Sequence, residues 1–256
     1  MIHTFKQLFD STPDPVMLPE GIDDPGVLKC VFMAGGPGSG KSYTASDIFD
    51  IPTNVRTSFG SMGLKLVSSD VIFELMLKQA GIDPNSLADI ERDNPTLWHA
   101  IANAEGGVRD RAKALSLKQL KNYEDGRLGV IIDGTGDKFE KIALNKRRFE
   151  DLGYDCMLVF VSAPLELALQ RNRQRSRQLP DSVVREIWTL VQNNLNHFRH
   201  AFGARFVAID SSVPGPVAAD IRKQVRAFLR EPVSNPIGQQ WLRVMGGTHR
   251  QRRSTQ

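Results

Sequence analysis

Cysteine is nearly absent from this chain: 256 residues contain two, Cys30 in "LKCVFMA" and Cys156 in "YDCMLVFV". Two thiols in separate apolar runs cannot build a zinc framework. Inside predicted strands they are expected to be buried and reduced, so cysteine chemistry is excluded as the basis of function. Also missing is any apolar run near the roughly 18 residues that a bilayer requires. The amino-terminal "MIHTFKQLFDSTPDP" has early acids and lacks the apolar core of a secretory signal. The expectation is a cytoplasmic protein with no membrane partner. Internal repeats are absent, and a hydrophobic content of 41% is enough for a substantial core, which excludes a disordered or fibrous class.

One sign of charge is in modest excess, with a net charge of +4. Its location matters more than its size. The segment "RVMGGTHRQRRSTQ" at 243–256 holds Arg243, Arg250, Arg252 and Arg253 and no acid, and without those four arginines basic and acidic residues balance at 29 each. The body is neutral and the basicity belongs to one end. Residues 1–26 carry Pro13, Pro15, Pro19 and Pro25 with little periodicity and read as an extended segment. The division expected is that segment, a core domain at 27–231, and a flexible basic tail at 232–256.

Within the central part, short β-rich runs alternate with helical stretches. The runs are 28–34, 64–68, 128–132, 155–161 and 205–209. Helices are expected at about 41–49, 70–80, 95–124, 137–152, 164–177, 181–202 and 216–230, with Gly106-Gly107 splitting the third. Near-continuous apolar strands separated by helices point to a parallel sheet covered on both faces, an α/β three-layer sandwich. In the stretch 181–202, Val184, Ile187, Trp188, Val191, Leu195 and Phe198 recur at helical spacing behind Asp181 and are expected to pack in the core.

Directly behind the first run stands Gly35-Gly36-Pro37-Gly38-Ser39-Gly40-Lys41-Ser42. It satisfies G-x-x-x-x-G-K-[ST] in full, between a strand and a helix. Glycines let successive N–H groups turn toward a phosphate, and the helix N-terminus adds positive potential. Lys41 reaches the β- and γ-phosphates, and the Ser42 hydroxyl can bind Mg²⁺. A dinucleotide fingerprint fails on register, because its third glycine would fall at Lys41. Asp133-Gly134-Thr135-Gly136 fits the D-x-x-G of a GTPase, but the one N-K-x-D candidate, Asn145-Lys146-Arg147-Arg148, ends in arginine. A mechanical or regulatory ATPase generally needs an acidic pair after its Walker-B strand, and here Asp133 stands single.

Three features favour phosphoryl transfer over both alternatives. Asp70 follows the second strand, at the crevice beside the cradle, where a carboxylate can take the proton of an attacking hydroxyl. Asp133 ends the third strand, where it can hold Mg²⁺ or contact an acceptor, with Thr135 as a hydrogen-bond donor. The stretch "LQRNRQRSRQLPD" places Arg171 and Arg175 on one helical face and Arg173 and Arg177 on another, a source of mobile positive charge for a lid. His99, His197 and His200 have no partner at ligand spacing.

This combination resembles the P-loop kinases that include zeta toxins and polynucleotide kinases, a type also common among phage-encoded proteins, for which the host cytoplasm would be the location. The resemblance covers roughly residues 28–210. It implies a P-loop NTPase fold of kinase type with a five-stranded parallel sheet and an arginine-rich lid, ATP as donor, Mg²⁺, and a hydroxyl acceptor on a nucleic acid, DNA included, a nucleotide or a nucleotide-sugar. By that resemblance the catalytic residues are Lys41, Asp70, Arg171 and Arg175. Residues 35–42 with Arg173 and Arg177 bind ATP, Asp70, Asp133 and Thr135 meet the acceptor, and Ser42 and Asp133 serve the metal. Two departures stand out. Zeta toxins tend to continue acidic-Gly-Thr with Leu-Arg, where this chain has Gly136-Asp137. Polynucleotide kinases tend to place an arginine three residues after the base, where it has Phe73.

Overall fold

Each of the five β-rich runs becomes a strand of one sheet: β1 (Lys29–Ala34), β2 (Lys65–Val67), β3 (Val130–Asp133), β4 (Asp155–Ser162) and β5 (Phe206–Asp210). The computed structural model describes residues 22, 24–51, 62–175 and 178–253. Most of the segment expected at 1–26 therefore lies outside the described residues, as does Arg177. Every neighbouring pair of strands is parallel, in the order β2-β3-β1-β4-β5.

The helices are α1 (Lys41–Phe49), α2 (Ser69–Gln79), α3 (Leu87–Asp93), α4 (Pro95–Trp98), α5 (Val108–Asp125), α6 (Phe139–Asp151), α7 (Leu165–Arg173), α8 (Asp181–Asn193), α9 (Leu195–Phe202), α10 (Ala219–Arg230) and α11 (Pro236–Arg253). A π-helical turn, His99–Asn103, continues α4, and the paired glycines separate it from α5 as expected. The stretch 181–202 divides at Asn194 into α8 and α9, and its Val184, Val191 and Phe198 are buried. Among the described residues, no helix is long and apolar enough to cross a membrane.

Every residue of β1 is buried, because helices cover both faces of the sheet. Cys30, Phe32 and Ala34 point into a core shared with Phe149, Phe198 and Phe202 of α6 and α9. Val31 and Met33 point the other way, into a core with Ile48 and Phe49 of α1 and Val225 and Phe228 of α10. The period-2 geometry of a strand thus divides one apolar run between two layers. Cys30 and Cys156 face each other across β1 and β4 as buried free thiols, and burial, reinforced by Cys156, pushes the Cys30 thiol up.

Residues 236–253 form a helix where the sequence reading expected a flexible tail. The correction has a physical cause at Gly238, which composition alone marks as a breaker. A Cβ there would lie 2.2 Å from the Gly153 carbonyl oxygen, so only glycine lets α11 pass so close to the turn after α6. Trp241 and Leu242 then pack against the core.

The amino-terminal ends of the strands carry buried charge. Lys29 Nζ donates to Asp155 Oδ2 at 3.0 Å, with both side chains 2% exposed. Arg205 adds a contact to Asp155 at 3.1 Å. Asp155 also accepts from the Ser234 N–H at 2.9 Å and hydroxyl at 2.8 Å, and from the Asn235 N–H at 3.1 Å. Lys65 pairs with Asp24 in the same layer, fully buried. Burial alone would push the Asp155 carboxyl up, but the Ser234 donors and Lys29 hold it below its ordinary value.

Candidate active site

Because all five strands run the same way, their carboxyl ends and the loops that follow lie along one edge of the sheet. Residues 35–40 turn there between β1 and α1. Gly38 has φ 72°, and a Cβ on it would come within 2.2 Å of the Ala168 carbonyl oxygen of α7. The turn therefore needs glycine for its backbone conformation and for its close packing on a neighbouring helix. Lys41 opens α1 and donates from Nζ to the Gly35 carbonyl, folding back over the loop. Ser42, one residue on, is exposed. The Ser39 hydroxyl is buried without a hydrogen-bond partner among the described residues. Its unmet hydrogen-bonding capacity, beside a loop whose glycines leave no side chains in the way, fits a phosphate cradle.

Around Lys41 the remaining candidates gather by charge. Burial pushes its ammonium below the ordinary lysine value. Asp133 opposes this, Arg175 reinforces it, and Asp70 opposes it. The Asp133 carboxyl, at the end of β3, is pushed up, first by burial and then by Asp70, against the pull of Lys41 and Arg175 and a hydrogen bond from Gly134. Asp70 and Arg175 are therefore near enough for their charges to act on both Lys41 and Asp133. Asp70 lies in the first turn of α2, where the helix dipole favours a carboxylate; the cap position itself is Ser68.

The β3 loop is bonded directly to the cradle. The Gly35 N–H donates to the Thr135 carbonyl at 2.9 Å, and the Gly134 N–H to Met33 at 3.0 Å. The Thr135 hydroxyl donates to Asp137, while Asn194 donates to the carbonyls of Gly136 and Asp137 at 3.0 and 2.9 Å. Asn194, the residue at the α8–α9 break, thus holds the acidic-Gly-Thr step in place.

The arginine-rich stretch is divided by its partners. Arg171 is fixed under the cradle: its guanidinium donates to the Ser211 hydroxyl at 2.9 Å, the Ser211 carbonyl at 2.7 Å and the Gly38 carbonyl at 3.4 Å. Ser211 in turn donates to the Ser39 carbonyl at 2.7 Å. Arg173 turns away to pair with Asp181 at the start of α8. Arg175, just beyond α7, is exposed, and among the described arginines of this stretch it is the one whose charge reaches Lys41 and Asp133. Fully buried Asn172 donates to the Leu179 carbonyl at 2.8 Å and accepts from its N–H at 3.2 Å, so one side chain closes the loop carrying Arg173 and Arg175.

Two residues at the site have weak or no sequence signals. Ser211, after β5, belongs to no motif. Arg109, with Arg111 just behind the paired glycines, carries only a faint signal for touching an anionic acceptor, yet its Nη1 donates to Asp70 Oδ1 at 2.6 Å. Among the described residues no group of three or more His, Cys, Asp or Glu could hold a metal. The hard oxygens of Ser42 and Asp133 nevertheless suit Mg²⁺, which takes one or two protein ligands and completes its shell with phosphate and water.

A family model described as an AAA domain matches residues 30–196, well over half of the chain. Curated proteins return no sequence match. Among solved structures, a chain of the AvrRxo1-ORF1:-ORF2 complex aligns with a TM-score of 0.50 at 15% identity, over 83% of this chain and 64% of that one. A putative kinase from Chloroflexus aurantiacus aligns at 0.49 and 12% identity, over 78% and 98%. The Pnkp1/Rnl/Hen1 RNA repair complex contains a chain aligning at 0.46 and 19% identity, over 67% and 46%. At such identities the likeness concerns the fold alone.

Proposed function

The chain belongs to the AAA-domain family, and from that premise we propose that it is an ATP-dependent kinase transferring the γ-phosphate to a hydroxyl of a nucleic acid, a nucleotide or a nucleotide-sugar. The observation that carries this reading is the clustering of Asp70, Asp133 and Arg175 around Lys41, at the edge where the glycine cradle opens. A switch or motor needs the cradle and a sensing carboxylate. A kinase also needs a carboxylate placed for an acceptor, and Asp70 answers to that.

In this reading the cradle N–H groups and Lys41 bind the β- and γ-phosphates, and Arg175 meets charge developing on the γ-phosphoryl group. Asp70 orients the acceptor hydroxyl. As the acceptor oxygen bonds to the γ-phosphorus, the bond from that phosphorus to the β,γ-bridging oxygen breaks, the hydroxyl proton passes to Asp70, and ADP leaves. Ser42 and Asp133 would hold Mg²⁺, which when bound neutralises phosphate charge. Arg171 has a supporting part, since its bonds to Ser211 and Gly38 fix the underside of the cradle. Arg173, paired with Asp181, steadies the loop that bears Arg175.

The test is transfer from labelled ATP to a panel of oligonucleotides, modified DNA, nucleosides and UDP-N-acetylglucosamine. Labelling of at least one acceptor, lost in Asp70→Asn while ATP binding persists, is the expected result. ATP hydrolysis with no labelled acceptor would instead favour an ATPase.

A further inference from the structure

Asp70 and Arg109 are 39 residues apart in sequence, and no motif joins them. They meet because α2 and α5 pack through Phe73, Met76, Leu77, Val108 and Ala112, which brings the first turns of both helices to the same edge. The guanidinium is held at two points. One nitrogen donates to Asp70 at 2.6 Å, and the guanidinium carbon lies over the Phe73 ring, 5.1 Å from its centre. Phe73 is itself buried, so the platform is rigid. A cation–ring contact and a carboxylate partner together fix the position of a side chain that is otherwise one of the most flexible.

Arg109 nonetheless stays 22% exposed at the cleft, and the Asp70 side chain is 63% exposed. A guanidinium has a fork of N–H donors, so one bond to Asp70 leaves others for a second anion. A hydroxyl hydrogen-bonded to Asp70 would stand within about 6 Å of that guanidinium, the sum of two hydrogen-bond lengths. Across the cleft the β3 loop is acidic, with Asp133 and Asp137. An anionic group on the acceptor is therefore repelled from the β3 side and drawn to the α5 side, beside the reacting hydroxyl.

We propose that Arg109 is an acceptor-specificity residue, which grips a phosphate or phosphodiester carried by the acceptor close to the hydroxyl that Asp70 orients. The acceptor is then a phosphorylated compound and not a neutral sugar or nucleoside. The inference rests on the kinase reading, with Asp70 at the acceptor hydroxyl.

The experiment compares acceptors that differ by a phosphate group: thymidine 3′-monophosphate with thymidine, and UDP-N-acetylglucosamine with N-acetylglucosamine. Full-length wild type, Arg109→Gln and Arg109→Lys are assayed with ATP and Mg²⁺, with thermal melting and binding of a fluorescent ATP analogue as controls. The wild type is expected to favour the phosphorylated member of at least one pair by about tenfold or more in kcat/KM. Arg109→Gln should reduce that preference by about 10- to 100-fold, mostly through KM, the size expected for loss of a charged hydrogen bond. Arg109→Lys should keep part of it, and any loss on the neutral member, which comes through the broken bond to Asp70, should be the smaller one. A wild type without the preference, or a Gln variant equally impaired on both members, overturns the specificity role. Transfer to no phosphorylated acceptor while a neutral compound is labelled also overturns it. Failure of the kinase reading looks different: ATP hydrolysis with no acceptor labelled and no response to Asp70→Asn.

Discussion

The two ends of the sheet use the same kinds of residue to opposite effect. At the amino ends of the strands, Asp24 with Lys65 and Asp155 with Lys29 are buried and matched, and Asp155 has Arg205, Ser234 and Asn235 besides. At the carboxyl ends, Asp70, Asp133 and Arg175 bear on Lys41 without forming such buried pairs among the described residues: Asp70 meets Arg109 in a pair that is partly exposed, and Asp70, Asp133 and Arg175 all reach solvent. Removing either partner from a matched buried pair strands a charge away from water. Charges that are crowded but only partly paired stay ready for a ligand that brings its own charge, as a triphosphate does. The first end ties strands, α11 and the approach to β1 together, and the second is free to work because the first is fixed.

That contrast breaks most visibly with a change at each end. Asp70→Asn should lower transfer by about 10²- to 10⁴-fold, the range for loss of a general base, while the melting temperature stays close to wild type. A stopped-flow or radiolabel assay beside a thermal melt checks both halves. If transfer survives, Asp70 is not the base. At the other end, Asp155→Ala should destabilise the fold by about 3–5 kcal/mol, since it leaves Lys29 buried and unpaired. Urea unfolding measures this, and folded material should retain its nucleotide affinity.

Most of the fold was legible because its signals are local. Apolar runs such as "VFMA" and the alternation with helices depend on near neighbours in sequence, and the glycine cradle carries its chemistry in eight consecutive residues. What escaped depends on contacts between distant segments. The helix α11 was hidden because Gly238 reads as a breaker until Gly153 is seen pressing against it. The division of labour among Arg171, Arg173 and Arg175 is set by Ser211, Asp181 and Lys41, none of which helical spacing reveals. The pairing of Arg109 with Asp70 depends on how α2 packs on α5, and the faint signal was a basic residue opening a helix after two glycines.

The acid dependence of stability should follow the matched end. Asp155 is held below its ordinary value, so it contributes stability above the unfolded carboxylate range, near pH 4. That contribution is lost as pH falls through its lower folded value. Unfolding free energy measured from pH 6 downward should therefore fall through that window, and Asp155→Asn should flatten the fall.

The finest test of the contrast is Asp133→Asn, because its sign should be reversed. Desolvation in the crowded cleft, joined by Asp70, pushes the Asp133 carboxyl up although the residue reaches the surface, so the folded protein holds the charged form somewhat less readily than the unfolded chain does. The strain is absent well below the ordinary carboxylate range, appears as pH rises through it, and is fully present above the raised folded value. Near neutral pH an uncharged amide of the same shape removes that strain while still accepting the Gly134 hydrogen bond through its oxygen. The melting temperature should then rise slightly, while transfer falls because the metal and the acceptor lose a carboxylate. A clear drop in melting temperature would mean that Asp133 is matched as Asp155 is, and that the two ends of the sheet do not differ in the way their charges are held.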